Sequence, residues 1–442
     1  MLADPRLAGP GARPGAADLA AASPAATESM ATGQGPSDGS QLTDFDAHLI
    51  KESFAYVMAG PQQSMEYFFA RLFSRNPEIR GLFPLEMSGL RDRVFNALAR
   101  LVWSMDEPET SAAFLAQIAR DHRKFGVRDR HLQSFFTALA DTVERAAGPA
   151  WTPAMATAWQ HVLHDADHTM RTAMQRDGQV RPAWWLAEIV RHELRTDSLA
   201  VLTLRPDQPY SYQPGQFIDV QVPRWPRLWR SYSPANAPRP DGTIDLHIRA
   251  VPGGLVSNAL VHHLDAGENV LLGPPRGTMT AASMTAAPAA APASEPAAAG
   301  SLGCVPREVL CVAGGTGLAP VKAIIEGLVG SARPGLRPAI TLLFCARSED
   351  ELYDLTALRG LEAACPGLSV IPAVISRPGT LEPGRTLPDL LAGRAVSADS
   401  EVFVSGPPGM VAAARRALGG RVAAERVHHD PLDGIPVPSP SR

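Results

Sequence analysis

Arg230-Ser231-Tyr232-Ser233 brings a guanidinium, a phenol and two hydroxyls together at the end of an extended run. A guanidinium forks onto a pyrophosphate, a phenol packs on a flat heteroaromatic ring, and a hydroxyl reaches a ring nitrogen. That set suits a flavin nucleotide. The preceding Gln216-Phe217-Ile218-Asp219-Val220-Gln221-Val222 alternates apolar and polar residues at the period of a half-buried strand. Phe217 is then either part of the flavin wall or an ordinary core aromatic. Downstream, Gly253-Gly254-Leu255-Val256-Ser257-Asn258 pairs two glycines, which let backbone approach a ligand, with a serine placed to cap the next helix. The start of such a helix offers free N–H groups to a pyrophosphate, whereas the bland alternative is a plain turn.

A second nucleotide signal lies further on. Val309-Leu310-Cys311-Val312-Ala313 reads as a short buried strand of the parallel kind, running into Gly314-Gly315-Thr316-Gly317-Leu318-Ala319-Pro320. Strand, glycine turn and helix in that order aim backbone N–H groups at a phosphate, and Pro320 suits a first helical turn. Ile340-Thr341-Leu342-Leu343-Phe344 is a further strand, ending at Arg347 and Ser348, which can hold a 2′-phosphate. Glu349, Asp350 and Glu351 follow at once and would repel it, so the unphosphorylated dinucleotide is the expected choice. Val402-Phe403-Val404 enters another turn, Ser405-Gly406-Pro407-Pro408-Gly409-Met410.

Residues 43–178 carry helical periodicity instead. Gly60-Pro61 separates two amphipathic stretches, the second with Met65, Phe68, Phe69, Leu72 and Phe73 on one broad face. Leu90, Val94, Leu98, Leu101 and Met105 follow at spacings of three and four. His122 falls four residues after Ile118, on the apolar face of a helix that also carries Phe114 and Leu115. An imidazole aimed into an apolar interior is either a satisfied core histidine or a metal ligand. His48, His131, His161, His164 and His168 read as surface or helix-flank residues.

These motifs resemble known families. Tyr212-x-Pro214-Gly215-Gln216-Phe217, Arg-Ser-Tyr-Ser, Gly-Gly-x-Val-Ser-Asn, the Gly314–Gly317 turn and Ser-Gly-Pro-x-x-Met resemble the ferredoxin–NADP reductase family. Phe69-x3-Phe73-x2-Asn76-Pro77-Glu78-x4-Phe83, Phe95-Asn96-Ala97-Leu98 and Ile118-Ala119-Arg120-Asp121-His122 resemble a globin domain. The order of the two is similar to that of flavohaemoglobins. This resemblance implies an all-α globin, then an antiparallel β-barrel FAD domain, then an α/β parallel-sheet NAD(P)-binding domain. It implies FAD held by Phe217, Arg230, Ser231, Tyr232, Ser233, Gly254, Val256 and Ser257. It implies NAD(P)H held by Gly314, Gly315, Thr316, Gly317, Pro320, Arg347, Gly406, Pro407 and Met410. His122 becomes the proximal ligand of a haem b iron, and Phe83 packs on the haem. The implied activity is hydride transfer from NAD(P)H to FAD, electron transfer to haem, and dioxygen-dependent oxidation of nitric oxide to nitrate.

Departures from that pattern are specific. The family's distal tyrosine and glutamine align with Phe69 and Leu90, and its proximal tyrosine–glutamate pair with Leu132 and Met174. None of these four replacements offers the polar group of the family residue. No aromatic stands where the carboxy-terminal stretch, Asp430-Pro431-Leu432-Asp433-Gly434, would place one on the flavin. Two other readings therefore stand beside the first. One is a reductase that serves a separate protein or small acceptor, with a vestigial globin domain. The other is a globin that senses a gas or lipid and regulates the reductase.

Composition bounds the rest. The chain has 442 residues, 45% of them hydrophobic, and a net charge of −4, which excludes a basic footprint for nucleic acid or an anionic membrane. The expected organisation is an Ala/Pro/Gly-rich tail at 1–42, globin at 43–178, FAD barrel at 183–280, an Ala/Pro-rich linker at 281–306 and the NAD(P) domain at 307–434. Cys304, Cys311, Cys345 and Cys365 fit neither a zinc site nor an iron–sulfur cluster and read as reduced thiols in or near a core. A basic start and apolar core of an export signal are lacking, so a cytoplasmic monomer or dimer is expected.

Overall fold

The computed structural model describes residues 44–84, 87–285, 308–331, 338–375, 386–394 and 396–430. The tail at 1–42, most of the Ala/Pro-rich linker, Cys304 and residues 431–434 lie outside them. The helical domain comprises α1 (Asp44–Ala59), α2 (Pro61–Arg75), α3 (Ser88–Trp103), α4 (Pro108–His122), α5 (Asp129–Ala147) and α6 (Pro153–Val180). Proline occupies the first turn of α2, α4 and α6, where its missing N–H costs nothing. Met65, Phe68, Phe69 and Leu72 of α2 are buried, as their spacing requires, against Ile50, Phe54, Leu98 and Val143. The indole N–H of Trp159 donates to the Ser53 hydroxyl at 2.8 Å, satisfying both inside this core. The chain leaves α4 through a 3-10 turn, Arg123–Phe125.

The second domain is a six-stranded antiparallel sheet built from β1 (Trp185–Thr196), β2 (Leu199–Pro206), β3 (Ile218–Gln221), β4 (Trp229–Tyr232), β5 (Ile244–Arg249) and β6 (Asn269–Leu272). Its order is β4-β3-β6-β1-β2-β5, and pairing of Pro234 with Leu246 brings one edge back to the other, curling the sheet into a barrel. Ile189, Leu202, Ile218, Val220, Leu246 and Leu272 fill the interior. Helix α7 (Leu255–His262) caps the barrel after β5.

The third domain is a five-stranded parallel sheet of β7 (Glu308–Gly314), β8 (Ala339–Ala346), β9 (Leu368–Val374), β10 (Glu401–Ser405) and β11 (Val427–His428). It is flanked by α8 (Leu318–Ser331), α9 (Leu355–Ala364), α10 (Leu387–Ala392) and α11 (Pro408–Leu418). The order β11-β10-β7-β8-β9 makes the boundary of β10 and β7 the point where the winding direction reverses. Cys311, Cys345 and Cys365 are free and buried, and burial pushes the thiols of Cys311 and Cys345 up to about 12.

Three expectations change here. His131 is buried, and its Nδ1 accepts from the Arg128 backbone N–H at the start of α5, so it closes a helix end instead of facing solvent. His161 is half-buried with Nδ1 unpartnered. Ala281–Thr285, expected to open a coreless linker, form a 3-10 turn whose Met284 packs on the third domain's core.

Gly215, at φ +97°, sits where barrel and parallel-sheet domain meet, and a methyl there would lie 2.0 Å from the Met279 carbonyl oxygen and 2.8 Å from Ile324. Gly215→Ala is expected to destabilise the chain by about 2–4 kcal/mol, through positive-φ strain and overpacking together. Urea unfolding of parent and variant measures it.

Candidate functional site

His122 ends α4 with its Nδ1 2.7 Å from the Ile118 carbonyl oxygen. That bond places the proton on Nδ1 and leaves Nε2 a bare acceptor, the tautomer a metal needs. Desolvation by its apolar neighbours holds the imidazole below its ordinary pKa, which keeps it neutral. Leu115, Ile118, Val127, Leu132, Phe136 and Met174 form one apolar cluster, so both proximal departures lie among greasy side chains. Phe83 meets Phe69 and Phe73 edge-on at 5.8 and 5.2 Å. Phe69 is fully buried and Leu90 half-buried. This donor set fits haem held by one neutral histidine inside an apolar wall.

On the barrel, Arg230 is exposed, and among the described residues its guanidinium bonds its neighbour's carbonyl, Trp229 O, at 2.9 Å, which leaves its fork available to a phosphate. Burial pushes the Tyr232 phenol up to about 12, so it stays neutral. Strand alternation puts Arg230 and Tyr232 on one face of β4 and Trp229 and Ser231 on the other. Ser231 accordingly donates to Asp219 Oδ1 at 2.6 Å, turned from the face that Arg230 and Tyr232 share. Ser257 does not cap α7 either. Gly254 holds the N-cap position, and the Ser257 hydroxyl folds back to the Gly254 carbonyl and the Val251 N–H at 3.3 Å, bracing the glycine turn. A side chain on Gly254 would meet Ser257 Oγ at 2.5 Å.

The nicotinamide turns pack on each other. A Cβ on Gly314 would lie 2.4 Å from Met410 Sδ, and one on Gly317 would lie 2.4 Å from the Ser405 carbonyl oxygen. Glycine is therefore required by the neighbouring loop as well as by any phosphate. Gly315–Gly317 form a 3-10 turn before α8, and Pro320 is buried in the first turn of that helix. Gly406, Pro407 and Met410 lead into α11 directly opposite. Arg347, at the end of β8, bonds Glu351 through its guanidinium at 2.6 and 3.2 Å and through its backbone N–H at 3.1 Å. Arg249, where β5 leaves for the Gly253-Gly254 turn, approaches the same carboxylate at 3.7 Å, so the two nucleotide turns face each other.

Two clusters carried no sequence signal beyond residue type. In the first, His247 on β5 is buried with Nδ1 2.9 Å from Tyr353 Oη, and that hydroxyl also lies 3.5 Å from the Gly315 carbonyl. Lys322, Arg195, Asp245 and Asp354 surround it, and Lys322 pairs with Asp354 at 2.9 Å. In the second, Asp219 receives Lys124, Arg276 and Ser231, while Arg276 also reaches Asp121 at 2.6 Å. Burial alone would raise the Asp219 carboxyl, but the two cations hold it below the ordinary carboxylate range. This cluster joins the residues flanking His122 to strand β3 of the barrel.

Comparison with known proteins follows this division. A globin model matches residues 66–170, an oxidoreductase FAD-binding domain residues 187–280, and an oxidoreductase NAD-binding domain residues 311–416. The ferredoxin–NAD(P)+ reductase component of the naphthalene 1,2-dioxygenase/salicylate 5-hydroxylase systems of a Ralstonia species is 34% identical over 227 residues, 49% of this chain and 59% of that protein. A flavohemoprotein of Rhodopirellula baltica is 23% identical over 310 residues, 65% of this chain and 71% of that protein. The chain spans 50–59% of the length of the reductase components it matches at 33–34% identity. The flavohemoglobin of Malassezia yamatoensis, solved with bound FAD and heme, superposes with a TM-score of 0.67 at 15% identity. That match covers 87% of this chain and 98% of that one and establishes a shared fold.

Burial holds His247 at about 4, below the ordinary 6.5 of an unfolded histidine. The unfolded chain takes up a proton between those values and the folded chain does not, so stability is lost as pH falls from about 6.5 to 4. The loss expected from this group is at most about 3 kcal/mol. Comparing unfolding of the parent and His247→Gln across that window isolates it, because the variant lacks this part of the slope.

Proposed function

Since the chain is a globin domain fused to FAD-binding and NAD-binding oxidoreductase domains, in the arrangement of flavohaemoproteins, we propose that it is an NAD(P)H-dependent flavohaem oxidoreductase acting on dioxygen, with nitric oxide as second substrate. The observation that carries the reading is the contact of the His122 segment, through Lys124, with Asp219 of β3, to which Ser231 of the Arg230–Tyr232 strand also bonds. When bound, FAD accepts two electrons and releases them singly, and haem supplies an iron that takes a diatomic gas. Residues of this chain do the holding. Nε2 of His122 would be the iron donor, and Phe83, Phe69 and Leu90 would wall the pocket against water. Arg230 would fork onto the FAD pyrophosphate, and the neutral Tyr232 phenol would pack on the ring system. Backbone N–H groups of Gly315, Thr316 and Gly317 take the nicotinamide pyrophosphate, with Met410 closing the turn.

The Arg347–Glu351 pair supports NADH over NADPH. Arg347 already has its counter-ion, and a 2′-phosphate would have to displace a carboxylate. In steady-state assays NADPH is expected to show a KM about tenfold or more above that of NADH. Glu351→Ala should narrow that gap by freeing Arg347, each tenfold corresponding to about 1.4 kcal/mol.

A second reading has its own support. Phe69 and Leu90 provide no hydrogen-bond donor for a polar gas complex, and the relatives at 33–34% identity are reductase components of dioxygenase systems. In that reading the reductase domains serve a separate protein acceptor. One experiment separates the two. Purified protein, supplied with haem and FAD and mixed anaerobically with NADH, should bleach flavin and then shift the Soret band to the ferrous position. His122→Ala should lose the Soret band and keep flavin bleaching. Consumption of nitric oxide by the reduced protein in air then tests the substrate. Flavin bleaching with no Soret band in the parent sinks the first reading and leaves the second.

A further inference from the structure

The joint between helical domain and barrel is built from Asp121 and Lys124, on either side of His122. Asp121, immediately before it, accepts from Arg276 at 2.6 Å. Lys124, just after it in the 3-10 turn, places its ammonium on the Asp219 carboxylate of β3, and Arg276 reaches that carboxylate as well. Lys124 and Asp219 are almost wholly buried, with side chains 4% and 6% exposed. Two cations and two anions therefore form a neutral chain of pairs, Lys124–Asp219–Arg276–Asp121, whose two ends come from the helical domain and whose two middle members come from the barrel. Buried pairs are screened little by salt, and losing one partner leaves a charge stranded. Contacts between domains of one chain are usually polar and permit relative motion, and this one is tied at a buried point.

Aromatic rings run alongside the charges. His122 and Phe125 lie edge-on with centroids 5.9 Å apart, and Phe125 meets Trp229 edge-on at 6.4 Å. The Lys124 ammonium sits 5.2 Å from the Phe125 centroid and 5.6 Å from that of Trp229, so both rings lie beside the ion pairs that tie the domains. Trp229 directly precedes Arg230 on β4, on the strand face that Ser231 uses to reach Asp219. One side of β4 thus carries the flavin-directed groups, and the other carries the groups that grip the His122 turn.

We propose that Lys124, Asp219 and Arg276 are positioning residues that hold the His122 turn at one fixed approach to β4, and that Phe125 and Trp229 bridge the joint electrons cross. The inference rests on the flavohaem reading above. In that reading oxidation of one NADH to NAD+ and a proton supplies two electrons, and each electron crossing the joint reduces ferric haem iron to ferrous. No proton needs to cross with it. The charge network sets distance and orientation, on which such transfer depends steeply, and its members are separate from the Gly314–Gly317 and Gly406–Met410 turns proposed to hold the nicotinamide.

The test uses full-length protein loaded with haem and FAD, comparing the parent with Lys124→Met and Trp229→Leu. Under anaerobic rapid mixing with NADH, Lys124→Met is expected to keep the flavin reduction rate and the KM for NADH. Its haem reduction rate should fall by about tenfold to a hundredfold, as for a misplaced reacting group. A merely structural role would lower both rates together. Trp229→Leu should slow haem reduction without loosening the joint. Hydrogen exchange of the haem-free full chain reads the joint itself, and amides of residues 121–127 should exchange about tenfold faster in Lys124→Met and at the parental rate in Trp229→Leu. Haem reduction in Lys124→Met within twofold of the parent overturns the positioning role, as does unchanged exchange at 121–127. A parent that bleaches flavin but never reduces haem overturns the flavohaem reading instead, and the exchange data then decide the joint alone.

Discussion

A carboxylate taken out of water must be paired, and Asp219 is the place where this chain meets that demand by joining two domains. Its partners are Lys124 from the helical domain, Arg276 from the loop after β6, and Ser231 from the strand that carries Arg230 and Tyr232. Breaking such a pair by removing one member typically costs about 3–5 kcal/mol, because the survivor stays buried and charged. The relative placement of His122 and β4 is therefore bound to the stability of a single cluster. An apolar contact of the same area would hold the domains together without choosing an orientation.

The nucleotide sites follow a different constraint. In the parallel sheet, β7 and β10 lie side by side where the winding reverses, so the turns after them open on the same crevice. Those turns touch so closely that Gly314 and Gly317 have no room for a Cβ. Met410 and Ser405 impose this limit, and the space left to a ligand is shaped by the loops before any ligand enters. The barrel meets this crevice through Arg249 and His247, which contact Glu351 and Tyr353, and Tyr353 in turn approaches the Gly315 carbonyl. Flavin turn and nicotinamide turn are thereby set by one continuous polar seam.

The haem-side geometry is simpler. Ile118 and His122 lie one helical turn apart, so the backbone carbonyl of the first takes the Nδ1 proton of the second, and tautomer choice is a property of α4. Leu132 and Met174 pack in one cluster with Ile118, and they, like Phe69 and Leu90, offer only hydrocarbon and sulfur. His122 Nε2 is left a free acceptor, and apolar packing occupies the positions where the resemblance would place polar groups.

Periodicity and turn chemistry made the three domains legible in the sequence, because each element is specified locally. Met65, Phe68, Phe69 and Leu72 mark a helix face, alternation at 216–222 marks a strand, and Gly314-Gly315-Thr316-Gly317 between a buried strand and an apolar helix marks a nucleotide turn. His122 was legible as a candidate by its phase with Ile118, and Arg230 and Tyr232 by their spacing. Roles that depend on which side a group finally faces were not. Ser231 looked like a flavin contact and Ser257 like a helix cap, yet strand alternation turns the first to Asp219 and the helix start at Leu255 places the second inside the turn it braces. Nothing local marks Lys124, Asp219 and Arg276 as partners. Their sequence separations, 95 between Lys124 and Asp219 and 57 between Asp219 and Arg276, hold no local signal. Local sequence determined what each element is and which groups it carries. Long-range packing decided which charges must be buried together, and so where the His122 turn stands against the flavin strand.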